Sequence, residues 1–394
     1  MKVIFYIADC LTPLALKNPS KKNLFLHSKI KNNYINDLSK KSTFFSNCYG
    51  YGETFSVTSS MLTGKSPYQL YTDSFFLLNS FKAKNELSLY FKKKDFFNIY
   101  YSNLNTNANV KKNEYERYFK LVNKYFDVSM IKKKNNNYNF ENFLKEFNLS
   151  EVNSNYKNIF YLFHENSLHD DPTVYKNCTP ENYLKKVDEL SKLFKKQMKL
   201  IDFDEKTDII YFLSDHGLLM KPYDQLYYNK NIKIEDYNKY FYKNLADEKL
   251  KFTFFIKNPV QKQKIFDDFT LPENILSYVK TNQENQSKKQ IKNYSKKEVM
   301  VSCRSVEKSP YINLFNKFCF HNHFLLISKK KKISFNRKHP CEFWDLNKNL
   351  KIEKNKIDKK FLKKINNYYS IKNIFTKLVL FCLTILMKLI RKLI

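Results

Sequence analysis

The sequence predicts an α/β fold built on a doubly wound, mostly parallel sheet, followed by a small antiparallel subdomain. Three observations carry that expectation. Short, mostly apolar runs of strand-forming residues recur at Val3–Ala8, Phe96–Tyr101, Asn158–Phe163 and Asp208–Leu213, the pattern of strands buried on both faces. Pro180–Leu200 has helical spacing, with Tyr183, Val187, Leu190, Phe194 and Met198 on one face, and it delivers the chain into the Asp208 run. Strand, helix, strand in that order specifies a parallel crossover. The runs also end in chemistry: Val3–Ala8 meets Asp9, and Asp208–Leu213 runs into Ser214-Asp215-His216-Gly217. Ligands of open α/β sheets gather just beyond the carboxyl ends of strands.

The remaining elements follow in order. Phe44–Thr54 passes through a loop holding Gly50 and Gly52, and Phe55–Leu62 suits a helix stopped by Thr63-Gly64 and Pro67. Thr54 therefore falls at or near a helix N-terminus, as a plain N-cap or where free backbone N–H groups favour an anion. Asn85–Lys93 reads as a helix, and 132–139 as a polar low-complexity loop. After the Asn158 strand comes a segment with His164 and His169. Leu250–Ile256 reads as a further strand, and Asn282–Lys297 as an exposed polar excursion. From Val299 the pattern shortens to β-like pieces, Phe318–Ser328 (with His321 and His323) and Lys332–Phe335 among them. The expected divisions are a core at 1–298, an antiparallel subdomain at 299–346, and a basic linker and terminal helix at 347–394.

Composition narrows the classes. At 394 residues, with 43% hydrophobic and 17% aromatic content, the chain is not a disordered one. The formal charge of +32 accompanies abundant Lys, Asn, Ile, Phe and Tyr, which reads as codon bias rather than a nucleic-acid interface. The better use of the charge is attraction to anionic lipid. In the tail, Leu378–Met387 is an apolar run of ten residues, about 15 Å as a helix against roughly 30 Å of bilayer core. Lys377, Thr384, Lys388 and Arg391 recur at helical spacing. This predicts an amphipathic helix lying in a membrane surface. The seven cysteines never form C-x-x-C, and the N-terminus meets Asp9 too soon for a signal peptide. The expected location is cytoplasmic, peripheral on the inner face of the membrane.

Glycine is scarce. Only four occur, Gly50, Gly52, Gly64 and Gly217, where average usage would give roughly 28. Three surround the Thr54 segment and the fourth follows His216. Asp9, Asp215, His216 and a hydroxyl at Thr54 form a donor set suited to Zn²⁺, Mn²⁺ or Mg²⁺. Such an ion lowers the pKa of a bound hydroxyl and so makes Thr54 a candidate nucleophile. Cys10 reads as a soft extra ligand or as a buried strand-end thiol.

These stretches resemble, in order over residues 1–346, the sulfatase-like branch of the alkaline phosphatase superfamily. Met1–Asp9 resembles its opening strand and first metal acid. Thr54–Pro67 resembles its nucleophile helix, ending in Leu62-Thr63-Gly64-Lys65-Ser66-Pro67. Phe160–Pro172 resembles the strand with a substrate-side histidine, Tyr183–Gly217 the helix, strand and Ser-Asp-His-Gly signature, and Glu342–Leu346 the close of the C-terminal subdomain. The resemblance implies a three-layer αβα architecture and a divalent metal (Zn, Mn, Mg or Ca) held by Asp9, Thr54, Asp215 and His216. It also implies contact of His169 with the substrate or leaving group. Two departures matter. Cys10 stands where sulfatases commonly carry a second acid, and Thr54 stands where they carry the Cys or Ser converted to formylglycine. Threonine cannot give that aldehyde. The resemblance therefore leans toward transferases of phosphoethanolamine or phosphoglycerol, and toward phosphoester chemistry on glycan- or lipid-linked substrates of the cell envelope. Sulfate-ester hydrolysis and a non-catalytic binding protein are the alternatives.

Overall fold

The computed structural model describes residues 1–16, 32–52, 54–66, 84–103, 121–131, 140–147, 149–168, 179–217, 250–261, 263–284, 294, 296–303, 323–328, 331–336, 339–345 and 350–352. The chain divides into two compact units, one of residues 1–64 and 84–299, the other of residues 65–83 and 300–394.

The first unit is organised around β1, Lys2–Ala8, every residue of which after Lys2 is buried. Parallel neighbours flank it, β5 (Ile159–Glu165) on one side and β6 (Ile209–Leu213) on the other. In sequence order the other strands are β2 (Thr43–Cys48), β3 (Phe97–Ser102), β4 (Val128–Ile131), β7 (Phe254–Lys257) and β8 (Ile265–Thr270). The eight strands stand in the order β4-β3-β5-β1-β6-β7-β2-β8. Only β7 runs against the rest, pairing antiparallel with both β6 and β2. Its sequence, Phe-Phe-Ile-Lys, is as apolar as the parallel strands, and a strand buried on both faces carries no mark of its direction.

Helices cover both faces. On one side lie α1 (Tyr34–Lys40) and the 21-residue α6 (Pro180–Leu200). The latter has the predicted bounds because its signals are strong: Thr179 caps it through the Asn182 amide, Pro180 opens the first turn, and its apolar stripe is complete. That stripe meets the even-numbered residues of β1. Tyr6 is packed edge-on against Phe194 at 4.6 Å between ring centroids and stacked on Phe212 at 5.3 Å. On the opposite face lie α2 (Thr54–Thr63), α3 (Glu86–Lys92) and α7 (Ile275–Glu284). There Phe91 stacks on Phe160 at 4.1 Å and Phe45 meets Tyr278 at 4.7 Å. Two short helices, α4 (Phe140–Glu146) and α5 (Leu149–Asn155), precede β5. Burying each large aromatic contributes about 1.5–3 kcal/mol.

Helix α2 is rich in residues that compete with helical bonding, yet it is buried. Its hydroxyls resolve the conflict locally: Thr58, Ser60 and Thr63 each donate to the carbonyl four residues back, at 2.6–2.7 Å. Asn282, expected in an exposed excursion, instead sits buried in the last turn of α7, where its amide donates to the Tyr211 hydroxyl at 2.6 Å.

The second sheet has the order β13-β12-β11-β10-β9, from β9 (Glu298–Cys303), β10 (His323–Ser328), β11 (Lys331–Asn336), β12 (His339–Asp345) and β13 (Leu350–Ile352). The pairs from β10 to β13 are antiparallel. The architecture is thus the predicted one, a mostly parallel α/β sheet plus a small antiparallel sheet. Strand β13 falls at the start of the segment expected to be a basic linker and terminal helix. Among the described residues, no helix is long and apolar enough to cross a membrane; the terminal segment at 353–394 lies outside them.

Candidate active site

The carboxyl ends of β1, β5 and β6 lie side by side, because Ala8 is in register with Glu165 and Ile7 with Leu213. Beyond β1 the chain turns sharply. The Asp9 amide still donates to the Glu165 carbonyl at 2.8 Å, and Cys10 then adopts a left-handed conformation, φ 65°. That strain is held from two sides: the Cys10 amide donates to Asp215 Oδ1 at 3.0 Å, and the Tyr183 hydroxyl donates to the Cys10 carbonyl at 2.7 Å. The next carbonyl, of Leu11, accepts from the Ser214 and Thr253 hydroxyls. The corner that presents Asp9 is therefore tied to β6, α6 and the approach to β7 at once.

Asp215 and His216 follow β6 by two and three residues. Asp215 Oδ1 accepts from the amides of Cys10 and His216, the latter at 2.7 Å. His216 Nδ1 lies 2.8 Å from the Gly217 carbonyl, which can only accept. Nδ1 therefore carries the proton, and the Nε2 lone pair is left to face the site. Around Nε2 stand Thr54 Oγ1 and Asp215 Oδ2, both at 3.3 Å, and Asp9 Oδ1 at 3.9 Å. With this tautomer, Nε2 can accept from the Thr54 hydroxyl, which also stands beside the Asp215 carboxylate. All three partners are largely or wholly buried.

Burial by itself pushes the Asp215 carboxyl up. The neighbouring His216 imidazole, the Thr54 hydroxyl, His164 and the Cys10 amide outweigh it and hold the carboxyl below the usual carboxylate range.

The glycines explain how Thr54 reaches this point. Gly50 donates its amide to the Leu250 carbonyl at 2.7 Å, and a Cβ there would lie 3.1 Å from the Asp215 carbonyl oxygen and 3.0 Å from Val57 Cγ2. The loop that leads to Thr54 can lie against Asp215 because Gly50 has no side chain. Gly64 ends α2 at φ 69°, and a Cβ there would come within 2.9 Å of Leu276 Cδ2. Between them, Tyr51 anchors the loop by donating to Glu273 at 2.6 Å.

The structure thus brings Asp9, Thr54, Asp215 and His216 together. His169 and His321 lie outside the described residues, and His323 opens β10. His164 is fully buried within β5, opposite Ile7 and Ser102. The set suits a divalent cation: two carboxylates, an imidazole lone pair and a hydroxyl converge in a largely buried site. Cys10 joins the set, since donor atoms of Asp9, Cys10 and His216 lie within 4.8 Å of one another.

Sequence reading missed Glu165. It ends β5 beside Asp9, is buried, and accepts from the side-chain amides of Gln197 and Asn103. Tyr6 completes the chain by donating to Gln197 at 2.8 Å. Burial pushes its carboxyl up to about 7, with the hydrogen bonds from Gln197, Asn103 and Ser167 opposing. The available signal was an acid at the end of an apolar strand, the same pattern as at Asp9.

No protein-family model matches the sequence, and no curated protein sequence does. Solved structures do match in fold. A sulfatase from a locus for metabolism of multiple glycosaminoglycans in Bacteroides thetaiotaomicron aligns at TM-score 0.58 and 12% identity, covering 87% of this chain and 89% of its own. The phosphonate monoester hydrolase of Agrobacterium radiobacter aligns at 0.58 and 11%, covering 88% and 90%. The lipoteichoic acid synthase LtaP of Listeria monocytogenes aligns at 0.50 and 12%, covering 97% and 91%. The protein has the fold of the sulfatase-like alkaline phosphatase superfamily.

Proposed function

We propose that the protein is a metal-dependent phosphoester hydrolase or phosphotransferase with Thr54 as nucleophile, acting on glycan- or lipid-linked esters of the cell envelope. The observation that carries this reading is Thr54 Oγ1 at 3.3 Å from His216 Nε2, beside the carboxylates of Asp9 and Asp215. Asp9, Asp215, His216 and Thr54 would hold the cation, which when bound lowers the pKa of the hydroxyl and polarises a phosphoryl oxygen. Thr54 Oγ1, its proton released to solvent, attacks phosphorus in line from the N-terminus of α2, where backbone N–H groups favour the anionic ester. The P–O bond to the leaving group breaks and His169 supplies its proton. Water or an acceptor hydroxyl then attacks the phospho-threonine, its proton passing to His169, and the P–O bond to Thr54 breaks to return the residue to its free form.

The neighbours in fold support the class, acting by their names on phosphonate monoesters, lipoteichoic acid synthesis or sulfated glycosaminoglycans. Residues 374–394, basic and amphipathic, support placement on the inner face of a membrane. The sulfatase neighbours favour a second reading, sulfate-ester hydrolysis. Turnover of an aryl phosphate beside an aryl sulfate separates the two. Phosphate turnover that is lost on metal chelation and in Asp215→Asn is expected; preferential sulfate turnover would reverse the ranking.

A further inference from the structure

The geometry points to Cys10 as a thiolate ligand in the same centre, selecting a borderline cation such as Zn²⁺ over Ca²⁺ or Mg²⁺. This rests on the metal-site reading above and narrows the cation it takes. Cys10 Sγ, a carboxylate oxygen of Asp9 and a ring nitrogen of His216 lie within 4.8 Å of one another, and all three residues are buried. Ligands of a tetrahedral zinc, at about 2.0–2.3 Å from the ion, stand roughly 3.3–3.8 Å apart, so donor atoms that lie within 4.8 Å of one another need to close by no more than about 1.5 Å.

The position is also specially built. Cys10 is fixed at φ 65° by bonds from its amide to Asp215 and to its carbonyl from Tyr183. A side chain with a Cβ is thus kept in a left-handed backbone conformation that L-residues seldom adopt. Independently, the buried Asp215 carboxylate lies 3.3 Å from His216 Nε2, so a negative charge stands at the same spot for a cation to balance. Ca²⁺ takes six to eight oxygens at about 2.3–2.6 Å. Two carboxylates and a hydroxyl beside a thiol and an imidazole suit a lower-coordinate, softer ion instead. On coordination the thiol proton leaves to solvent and a sulfur–metal bond forms, with no change of oxidation state.

Loading the full-length protein with Co²⁺ tests this without any assay of turnover. The wild type is expected to show near-ultraviolet thiolate-to-cobalt charge-transfer absorption. Cys10→Ser should still bind cobalt but lose that band, and its Zn²⁺ affinity against a competing chelator should fall roughly tenfold or more. Cys10→Asp, whose side chain tolerates the left-handed backbone, should bind cobalt with no band and gain affinity for Ca²⁺. Cobalt bound by the wild type without the band, or a band persisting in both variants, would overturn the role of Cys10 while leaving the metal site standing. A wild type that binds none of Co²⁺, Zn²⁺, Mn²⁺, Mg²⁺ or Ca²⁺ would overturn both.

Discussion

Gly50 lies against the backbone of Asp215 so closely that a Cβ on it would stand 3.1 Å from the Asp215 carbonyl oxygen. The contact couples the loop that carries Thr54 to the strand end that carries two of the proposed ligands. Gly50→Ala must push these segments apart by a few tenths of an ångström, and the new Cβ would also stand 3.0 Å from Val57 Cγ2. Overpacking of this kind costs about 1–3 kcal/mol. The expected outcome is a modest drop in thermal stability and a larger loss of activity, roughly a hundredfold, as reacting groups shift. Steady-state kinetics beside a thermal melt would show it; unchanged activity would mean that the loop and Asp215 need not be in contact.

Glu165 gives a pH dependence with a definite sign. Burial raises its carboxyl from 4.5 to about 7, so between those values the folded state binds a proton that the unfolded state has released. Stability is then full below about pH 4.5 and is lost as pH rises through 7. A shift of this size corresponds to about 3 kcal/mol at most. Glu165→Gln should flatten this slope while costing some stability throughout, since Gln197 and Asn103 both donate to Glu165 and a single amide oxygen replaces two acceptors. Denaturant melts from pH 5 to 8 measure it, and an equally steep slope in the variant would remove Glu165 as the cause.

Phe212 is stacked between Tyr6 and Phe255 and edge-on to Phe194. Phe212→Ala should destabilise the protein by about 3–5 kcal/mol, with metal affinity unchanged where the variant remains folded. Loss of less than about 1 kcal/mol would show that this aromatic layer is not the core of the first unit.

Elements with strong local signals were legible in sequence: α6 through its cap, proline and stripe, and β1 and β6 through their apolar runs. Asp9, Asp215 and His216 were legible because each follows such a strand, and Thr54 because rare glycines surround it. What sequence concealed depends on distant partners. The reversal of β7 leaves no trace in a strand buried on both faces. Asn282 looked solvent-exposed until Tyr211, seventy-one residues away, was seen to accept its amide. Glu165 accepts from Gln197 of α6 and from Asn103 just after β3, side chains that only the folded chain brings to it.

Asp215 tests the electrostatics of the site. Asp215→Asn keeps its size and one acceptor for the amides of Cys10 and His216 but removes a buried charge. Metal affinity should fall by more than tenfold, and activity with it. Calorimetric titration with Zn²⁺ and Mn²⁺ reads the first directly, and undiminished affinity would exclude Asp215 as a ligand.

The central claim is that Thr54 carries the phosphoryl group. Intact-protein and peptide mass spectrometry after brief incubation with an activated aryl phosphate and Zn²⁺ or Mn²⁺ tests it most directly. Phosphate on Thr54, absent from Thr54→Ala and retained by Thr54→Ser, is the predicted result. Full turnover by Thr54→Ala, or phosphate on another residue with Thr54 unmodified, would contradict it.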